Sequence, residues 1–343
     1  MRQFGGQDGG MNYIGSKVRL TGFIRDTVRE TAGSLAGRTF CDLFAGTAAV
    51  AKAFKTESGR TIANDIEPFS YVLCRNAIGN RTSFDAASLI NELNALPGEE
   101  GFVFRNYCPG GGSGRLYWSD ENGRRIDAAR HAIEDWKLSG RLTEDVYYFL
   151  LASLIESADR HANTASVYGA FLKRLKASAL RPIRIEPSPF EPTENAVEVY
   201  RRDANELVRE ISGDVLYLDP PYNGRHYGAN YHLLNTIALN DRFEPRGRTG
   251  LRDYYRSPYC GKRTVRESLT DLIANARFRW IYLSYNNEGL LSFEETRTLL
   301  SRFGRWDCVR REHTRFKADS DGNRIHKANA TIEYLHIIEK VIL

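Results

Sequence analysis

The chain has 343 residues, 42% of them hydrophobic and 27% charged, with a net charge of +5. That is ordinary globular composition, too long for a small single-core domain and suited to one large α/β domain with an inserted or appended subdomain. No stretch approaches the roughly 20 apolar residues of a membrane span, and the opening MRQFGGQDGG reads as a short flexible lead-in without the apolar core of a secretory signal, so a cytoplasmic protein is expected.

Near the N-terminus MNYIGSK brings Tyr13, Gly15 and Lys17 just ahead of a helical stretch, VRLTGFIRDTVRE. It reads as a turn before that helix or as pocket lining, with Lys17 meeting a carboxylate. From Thr39 to Ile78 strands and helices alternate. TFCDLF is a short apolar strand, AGTAAVAKAFK a small-residue turn and helix, RTIAND a second strand and IEPFSYVLCRNAI a second helix. Such alternation implies parallel βαβ units. A strand that runs through a small-residue turn into a helix forms a nucleotide-type cradle at the strand's carboxyl end. There Gly46 lets backbone approach a ligand and Asp42 presents a carboxylate. The full G-x-G-x-x-G fingerprint is missing, and an ordinary tight βα turn is the plain alternative. Asp65 ends the second strand about 20 residues after the glycine turn, where an acid takes the ribose hydroxyls of an adenosine ligand. Capping the next helix is its plainer use.

From about Arg81 to Pro192 the pattern changes to helices. SFDAASLINELNAL and RIDAARHAIEDWKL have helical spacing, with Ile126, Ala129, Ile133 and Trp136 on one face. TEDVYYFLLASLIESAD opens with Thr143 as N-cap and two acids in the first turn. The glycine-rich CPGGGSGRLYW reads as a flexible loop and not a phosphate cradle, because no strand precedes it and no helix opens from it. RPIRIEPSPFEP is a proline-rich crossover, and the whole block is a mostly helical insertion.

Beyond Ala196 the alternation resumes. DVLYLDPPY is a strand, YHLLNTIAL and ESLTDLIANA are helices, RWIYLSY is a strand and SFEETRTLLSRF a helix. CVRREHTRF and TIEYLHIIEK close the chain as an antiparallel pair at one sheet edge. The strand DVLYL ends in Asp219, Pro220, Pro221 and Tyr222, at the ligand face of an open parallel sheet. Two prolines fix a rigid turn, so the Asp219 carboxylate and the Pro220 carbonyl sit side by side as acceptors and Tyr222 offers a ring. Two acceptors suit the two hydrogens of an exocyclic amine, and the ring suits the heterocycle that bears it. The segment 242–266 then sets eight basic residues against two acids, a net +6, with Tyr254, Tyr255 and Tyr259 interleaved. It is either a solvated loop or a phosphate-tracking segment with rings for stacking. Five scattered cysteines without a C-x-x-C pair, and seven histidines without ligand spacing, argue against a disulfide framework or a zinc site.

These motifs resemble the alpha-class, adenine-specific DNA methyltransferases, the group of the Dam enzymes and of the methyltransferases of type II and IIS restriction–modification systems. The resemblance rests on NYIGSK (12–17), DLFAGT (42–47), ANDIEP (63–68), RRDANEL (201–207), LDPPYN (218–223), YLSYNNEGL (282–290) and the terminal TRFKADSDG, in that order. It implies a Rossmann-like S-adenosylmethionine-dependent methyltransferase sheet with an inserted, mostly helical target-recognition domain. Residues 1–80 would carry the cofactor motifs, 81–195 the target recognition and 196–343 the catalytic motif. Tyr13 and Lys17 would contact S-adenosylmethionine, Lys17 at its methionine carboxylate, and Asp42, Gly46 and Asp219 would line the same pocket. Asp65 would hold the ribose and Asp203 would face the cofactor adenine. Asp219, Pro220 and Tyr222 would bind a target adenine flipped from double-stranded DNA at a specific site, and Arg252 and Arg256 would contact phosphate. A cognate restriction endonuclease would be the partner, with no role for a membrane. One departure is Ala48, where the family often has a second glycine. A cytosine-N4 methyltransferase, an RNA or protein-glutamine methyltransferase, and a non-catalytic DNA-binding module are the rival readings.

Overall fold

The computed structural model describes residues 11, 13, 15–314 and 330–340. The lead-in 1–10, Asn12 and Ile14 of the first motif, and residues 315–322 of the terminal motif lie outside them. In chain order a 3₁₀ turn at Val18–Leu20 leads into helix α1 (Thr21–Ala32), strand β1 (Thr39–Asp42), α2 (Ala49–Phe54), β2 (Arg60–Asn64) and α3 (Pro68–Cys74), which continues as a π-helical turn over Arg75–Gly79. Helices α4 (Ala87–Ala95), α5 (Phe102–Tyr107), α6 (Asp120–Leu138), α7 (Glu144–Arg160) and the single turn α8 (Ala177–Leu180) follow with no strand between them. Then come β3 (Ala196–Tyr200), α9 (Ala204–Leu207), β4 (Ser212–Leu218), α10 (Tyr227–Asn230), α11 (His232–Leu239), α12 (Val265–Asn275), β5 (Arg277–Asn286), α13 (Phe293–Leu300), β6 (Arg305–Thr314) and β7 (Ala330–Glu339).

These elements form two compact units. One comprises Ser16–Phe84, Pro189–Asn235 and the chain from Arg252 onward; the other comprises Asp85–Ser188, Thr236–Leu251 and the N-terminal segment ending at Gly15. The first unit holds a seven-stranded sheet in the order β3-β2-β1-β4-β5-β7-β6. Strands β3, β2, β1, β4 and β5 are parallel, while β7 is antiparallel to both β5 and β6. The expected antiparallel closing pair is present, with β6 at the edge. The strand order reverses between β1 and β4, which opens a crevice at the carboxyl ends of those strands.

Both faces of the sheet are buried, as parallel strands require. Along β4, Val215 and Tyr217 join Leu20, Ile24, Val28 and Phe40 in the core on the α1 side. Leu216 and Leu218 join Leu207, Leu269, Leu272 and Leu299 on the other. Behind α3 the fully buried Lys55 ammonium donates to the Ala77 and Asn80 carbonyls at 2.9 and 2.6 Å. It satisfies acceptors that the end of the helical run leaves open.

The helical unit contains the two caps that fix its long helices. Ser119 accepts from Asn122 N at the start of α6, and Thr143 accepts from Val146 N at the start of α7, as its sequence suggests. The crossover after α8 is pinned by the buried Asn122, which accepts from Ile183 N and donates to the Ala179 and Arg181 carbonyls. The glycine-rich loop departs from its reading as a flexible segment. A side chain at Gly111 would sit 2.2 Å from the Phe104 carbonyl oxygen, and Tyr117 and Trp118 at its end are fully buried. Helix α6 opens directly after it. The sequence pattern also does not announce strand β3 or helix α5. Each is short, and β3 follows a proline-rich run that masks its onset. No helix among the described residues is long and apolar enough to cross a membrane.

Candidate active site

Side-chain alternation builds the site. On β4 the face of Val215 and Tyr217 recurs at Asp219, just past the strand. On β5 the face of Trp280 and Tyr282 recurs at Ser284 and Asn286. Because β7 runs opposite to β5, its beginning lies at β5's carboxyl end, where Asn286 pairs with Glu333. Glu333 shares its face with Leu335 and Ile337 of the α1-side core. Lys17 enters from the same side, just before the turn that leads into α1.

There Lys17 Nζ lies 3.1 Å from Asp219 Oδ1 and 3.0 Å from Glu333 Oε1, and Ser284 Oγ donates to Glu333 Oε1 at 2.5 Å. Lys17 and Glu333 are buried, and Asp219 keeps 17% of its side chain exposed. Burial opposes the lysine charge, but Asp219 and Glu333 outweigh it and hold the ammonium well above the usual lysine range. Burial pushes the Asp219 carboxyl up to about 6, with Lys17 working against that rise and Glu333 adding to it. Pro220 is buried behind Asp219. The Tyr222 carbonyl accepts from Leu290 N at 2.8 Å, and its ring stands edge-on to Tyr285, with Lys17 Nζ 5.8 Å from its centroid.

Beside this cluster lies the turn after β1. Gly46 adopts φ 54°, and its N–H donates to Asp65 Oδ2 at 2.8 Å, while Glu67 N donates to Asp65 Oδ1 at 2.9 Å. Ala48, the departure from the family pattern, is also left-handed at φ 62°. Asp42 Oδ2 accepts from Ala51 N at 3.2 Å, and its buried Oδ1 has no hydrogen-bond partner among the described residues. Burial raises the Asp42 carboxyl well above its ordinary value, and repulsion from Asp219 and Asp65 adds to this. Burial also lifts Asp65 to about 6.

Asn64, which the sequence reading passed over, ties the strand ends together. Its amide donates to the Leu43 and Arg202 carbonyls and accepts from Arg202 N. This sets Asp203 at the start of α9, where Oδ1 accepts from Asn205 N and Glu206 N and Oδ2 from the Tyr255 hydroxyl at 2.5 Å.

Lys17, Asp42, Gly46, Asp65, Asp203, Asp219, Pro220 and Tyr222 all fall within the sheet-bearing unit, whereas Tyr13 belongs to the helical one. The arginine-rich segment divides between the units at Leu251–Arg252. Its first half is a small hairpin, bridged from Arg246 to Leu251, whose Gly247 and Arg248 carbonyls accept from Arg115. Its second half is no loop of freely stacking rings. Tyr259 is buried, donates to Asn205 Oδ1 and meets Phe44 edge to face, and Tyr255 is engaged by Asp203. Arg256 is exposed, with its guanidinium 5.3 Å from the Tyr254 ring centroid. Arg252 is half-buried, and its charge bears on the buried Glu67 carboxyl.

Residues 13–299 match the model of the D12 class N6 adenine-specific DNA methyltransferases. The chain is 56% identical over 332 residues to the type II methyltransferase M.NlaIII of Neisseria lactamica, covering 96% of this chain and 99% of that protein. It is 38% identical to the type II methyltransferase M.CviAII of Paramecium bursaria Chlorella virus 1, covering 90% of this chain and 93% of that one. With the type II methyltransferase M.FokI of Planomicrobium okeanokoites the identity is 36%, over 97% of this chain and 53% of that protein.

Proposed function

The chain belongs to the D12 class of N6 adenine-specific DNA methyltransferases, and we propose that it modifies adenine at a specific site in double-stranded DNA with S-adenosylmethionine, as the methylating half of a restriction–modification pair. A cognate endonuclease and a cytoplasmic location belong to the same proposal. The observation that carries it is the Asp219 carboxylate at the carboxyl end of β4, partly open and beside Tyr222, next to a pocket of buried acids.

The residues suit the cofactor. The cofactor carries a sulfonium and an ammonium and supplies an electrophilic methyl group. Asp42 Oδ1, buried without a partner among the described residues, suits a cationic neighbour. A carboxylate offers about four lone-pair sites, so Asp65, with two backbone N–H groups on it, keeps capacity for ribose hydroxyls. Asp203 Oδ2 keeps a lone pair beside the Tyr255 bond for an adenine amine. Lys17 has three ammonium protons; two partners account for two of them, and the third would serve a carboxylate.

An adenine amine is a weak nucleophile because its lone pair is delocalised into the ring. Asp219 and the Pro220 carbonyl, accepting its two hydrogens, draw the nitrogen toward tetrahedral geometry and localise that pair. Tyr222 holds the ring by stacking. Positioning and electrostatics then do the catalytic work, and Asp219 is the nearby acceptor for the proton that leaves as nitrogen gains carbon. Flipping the base out of the duplex costs a few kcal/mol. The preference for adenine over cytosine rests on the family and not on the clamp, since both bases offer an amine.

Asp219→Ala tests the reading. Methyl transfer to DNA should fall to background, while circular dichroism and the melting temperature stay near wild type, because Asp219 lies on the ligand face and not in the core. Transfer at wild-type rate would remove Asp219 from the reaction.

A further inference from the structure

Glu333 is a buried carboxylate that none of the methyltransferase motifs contains and that the chemistry above does not use. We propose that Glu333 is a positioning residue for methyl transfer, which draws the Lys17 ammonium off Asp219 when the target amine engages that carboxylate. The inference rests on the reading of Asp219 as the amine acceptor.

The geometry supplies the argument. Lys17 Nζ lies almost equally far from Asp219 Oδ1 and Glu333 Oε1, at 3.1 and 3.0 Å, so one ammonium is divided between two acids. Ser284 Oγ, on the neighbouring strand, fixes Glu333 Oε1 from behind. With a single acid, a buried lysine would form a closed ion pair, and parting it would strand an uncompensated charge in a poorly solvated place. With two acids the ammonium leaves one partner without leaving the other. Lys17 therefore shields Asp219 in the resting state and shifts toward Glu333 when an amine donor arrives. The Glu333 contact already exists, so the shift requires no new partner. Glu333 also repels electron density on Asp219, which makes Asp219 a stronger acceptor toward the amine.

The test is Glu333→Gln in the full chain, measured by single-turnover methyl transfer between pH 5 and 8 and by S-adenosylmethionine binding. The groups facing Asp219 are Lys17, Glu333, Asp42, Tyr217, Tyr222 and Tyr227. Of these, Glu333 and Asp42 are acids that hinder its ionisation, and Lys17 favours it. Loss of the Glu333 charge makes Asp219 ionise at lower pH, so the acid limb of the rate profile should move to lower pH. The plateau rate should fall about 10- to 100-fold, since Lys17 then stays on Asp219. Cofactor affinity should change less than about twofold, and Glu333→Asp should restore most of the rate. If the glutamine variant does not fold, Glu333→Thr, which suits a strand and removes the charge, is scored by the same criteria. A wild-type rate and an unmoved acid limb would overturn the proposal. So would a slower rate with an unmoved limb and a lowered melting temperature, which mark a purely structural residue. Failure of the parent reading is distinguishable, because it appears as undiminished transfer by Asp219→Ala whatever Glu333→Gln does.

Discussion

At the scale of single residues, the site is an arrangement of unlike environments for like groups. Asp42, Asp65 and Asp219 are all carboxylates near one turn, yet Asp65 accepts two backbone N–H bonds, Asp219 a lysine, and Asp42 Oδ1 nothing among the described residues. Burial raises all three carboxyls, and backbone N–H groups at Asp65 and the Lys17 ammonium at Asp219 offset part of that cost. Ala48 shows a different constraint. A left-handed alanine costs about 1–2 kcal/mol relative to a right-handed one, and glycine there forfeits about 0.4–1 kcal/mol through the unfolded chain. Ala48→Gly is therefore expected to raise stability by roughly 0.5–1 kcal/mol. A urea titration with an unchanged m-value and a higher midpoint would bear this out, and a lower midpoint would mean that the Ala48 methyl packs better than its backbone strains.

At the scale of elements, β7 and the arginine-rich segment each do something that their sequences conceal. An antiparallel last strand delivers its first residues to the ligand face, and that is how Glu333 reaches Lys17. The arginine-rich segment splits into an anchored hairpin and a stretch tied to Asp203 and Asn205. In its second half Arg256 is exposed, as are Lys262, Arg263 and Arg266, while the charge of half-buried Arg252 bears on the buried Glu67. If Arg256 neutralises a phosphate, Arg256→Ala should weaken binding equally on cognate and unrelated duplexes. It should also flatten the log–log salt slope by about 0.9, with cofactor affinity unchanged. An unchanged slope would make Arg256 a solvated surface residue, and a loss confined to the cognate duplex would make it a reader of bases.

At the scale of the whole molecule, the helical unit is not one continuous insertion. Thr236–Leu251 belongs to it, and buried bonds hold that piece in place. Arg130 donates to the Ile237 and Ala238 carbonyls, and the Tyr107 hydroxyl donates to the Gly250 carbonyl. If this unit carries target recognition, exchanging Asp85–Ser188 together with Thr236–Leu251 for the matching parts of a relative with another specificity should move the methylated site. Single-molecule sequencing of DNA from the expressing host reads the outcome. An active chimera that still methylates the original site would assign recognition elsewhere. Exchange of Asp85–Ser188 alone should give a poorly folded chain, because the Arg130 and Tyr107 partners would no longer match.

The sequence by itself determined the parallel βα pattern and the residues at the strand ends. It did so because a small-residue turn after a strand, an acid at the next strand's end and a stiff Asp-Pro-Pro-Tyr turn are local features, each legible within a few neighbours. It also determined the helix start at Thr143, whose cap lies within one turn of the group that it satisfies. Only the tertiary structure decided that Lys17 stands between Asp219 and Glu333, that Asn64 stitches β1 to the approach of Asp203, that Tyr259 is core, and that Thr236–Leu251 joins the helical unit. Those outcomes depend on strand order, on the reversal of β7 and on pairings between residues more than a hundred positions apart. No local pattern encodes them, because the energy that selects them is the burial and hydrogen bonding of the assembled sheet.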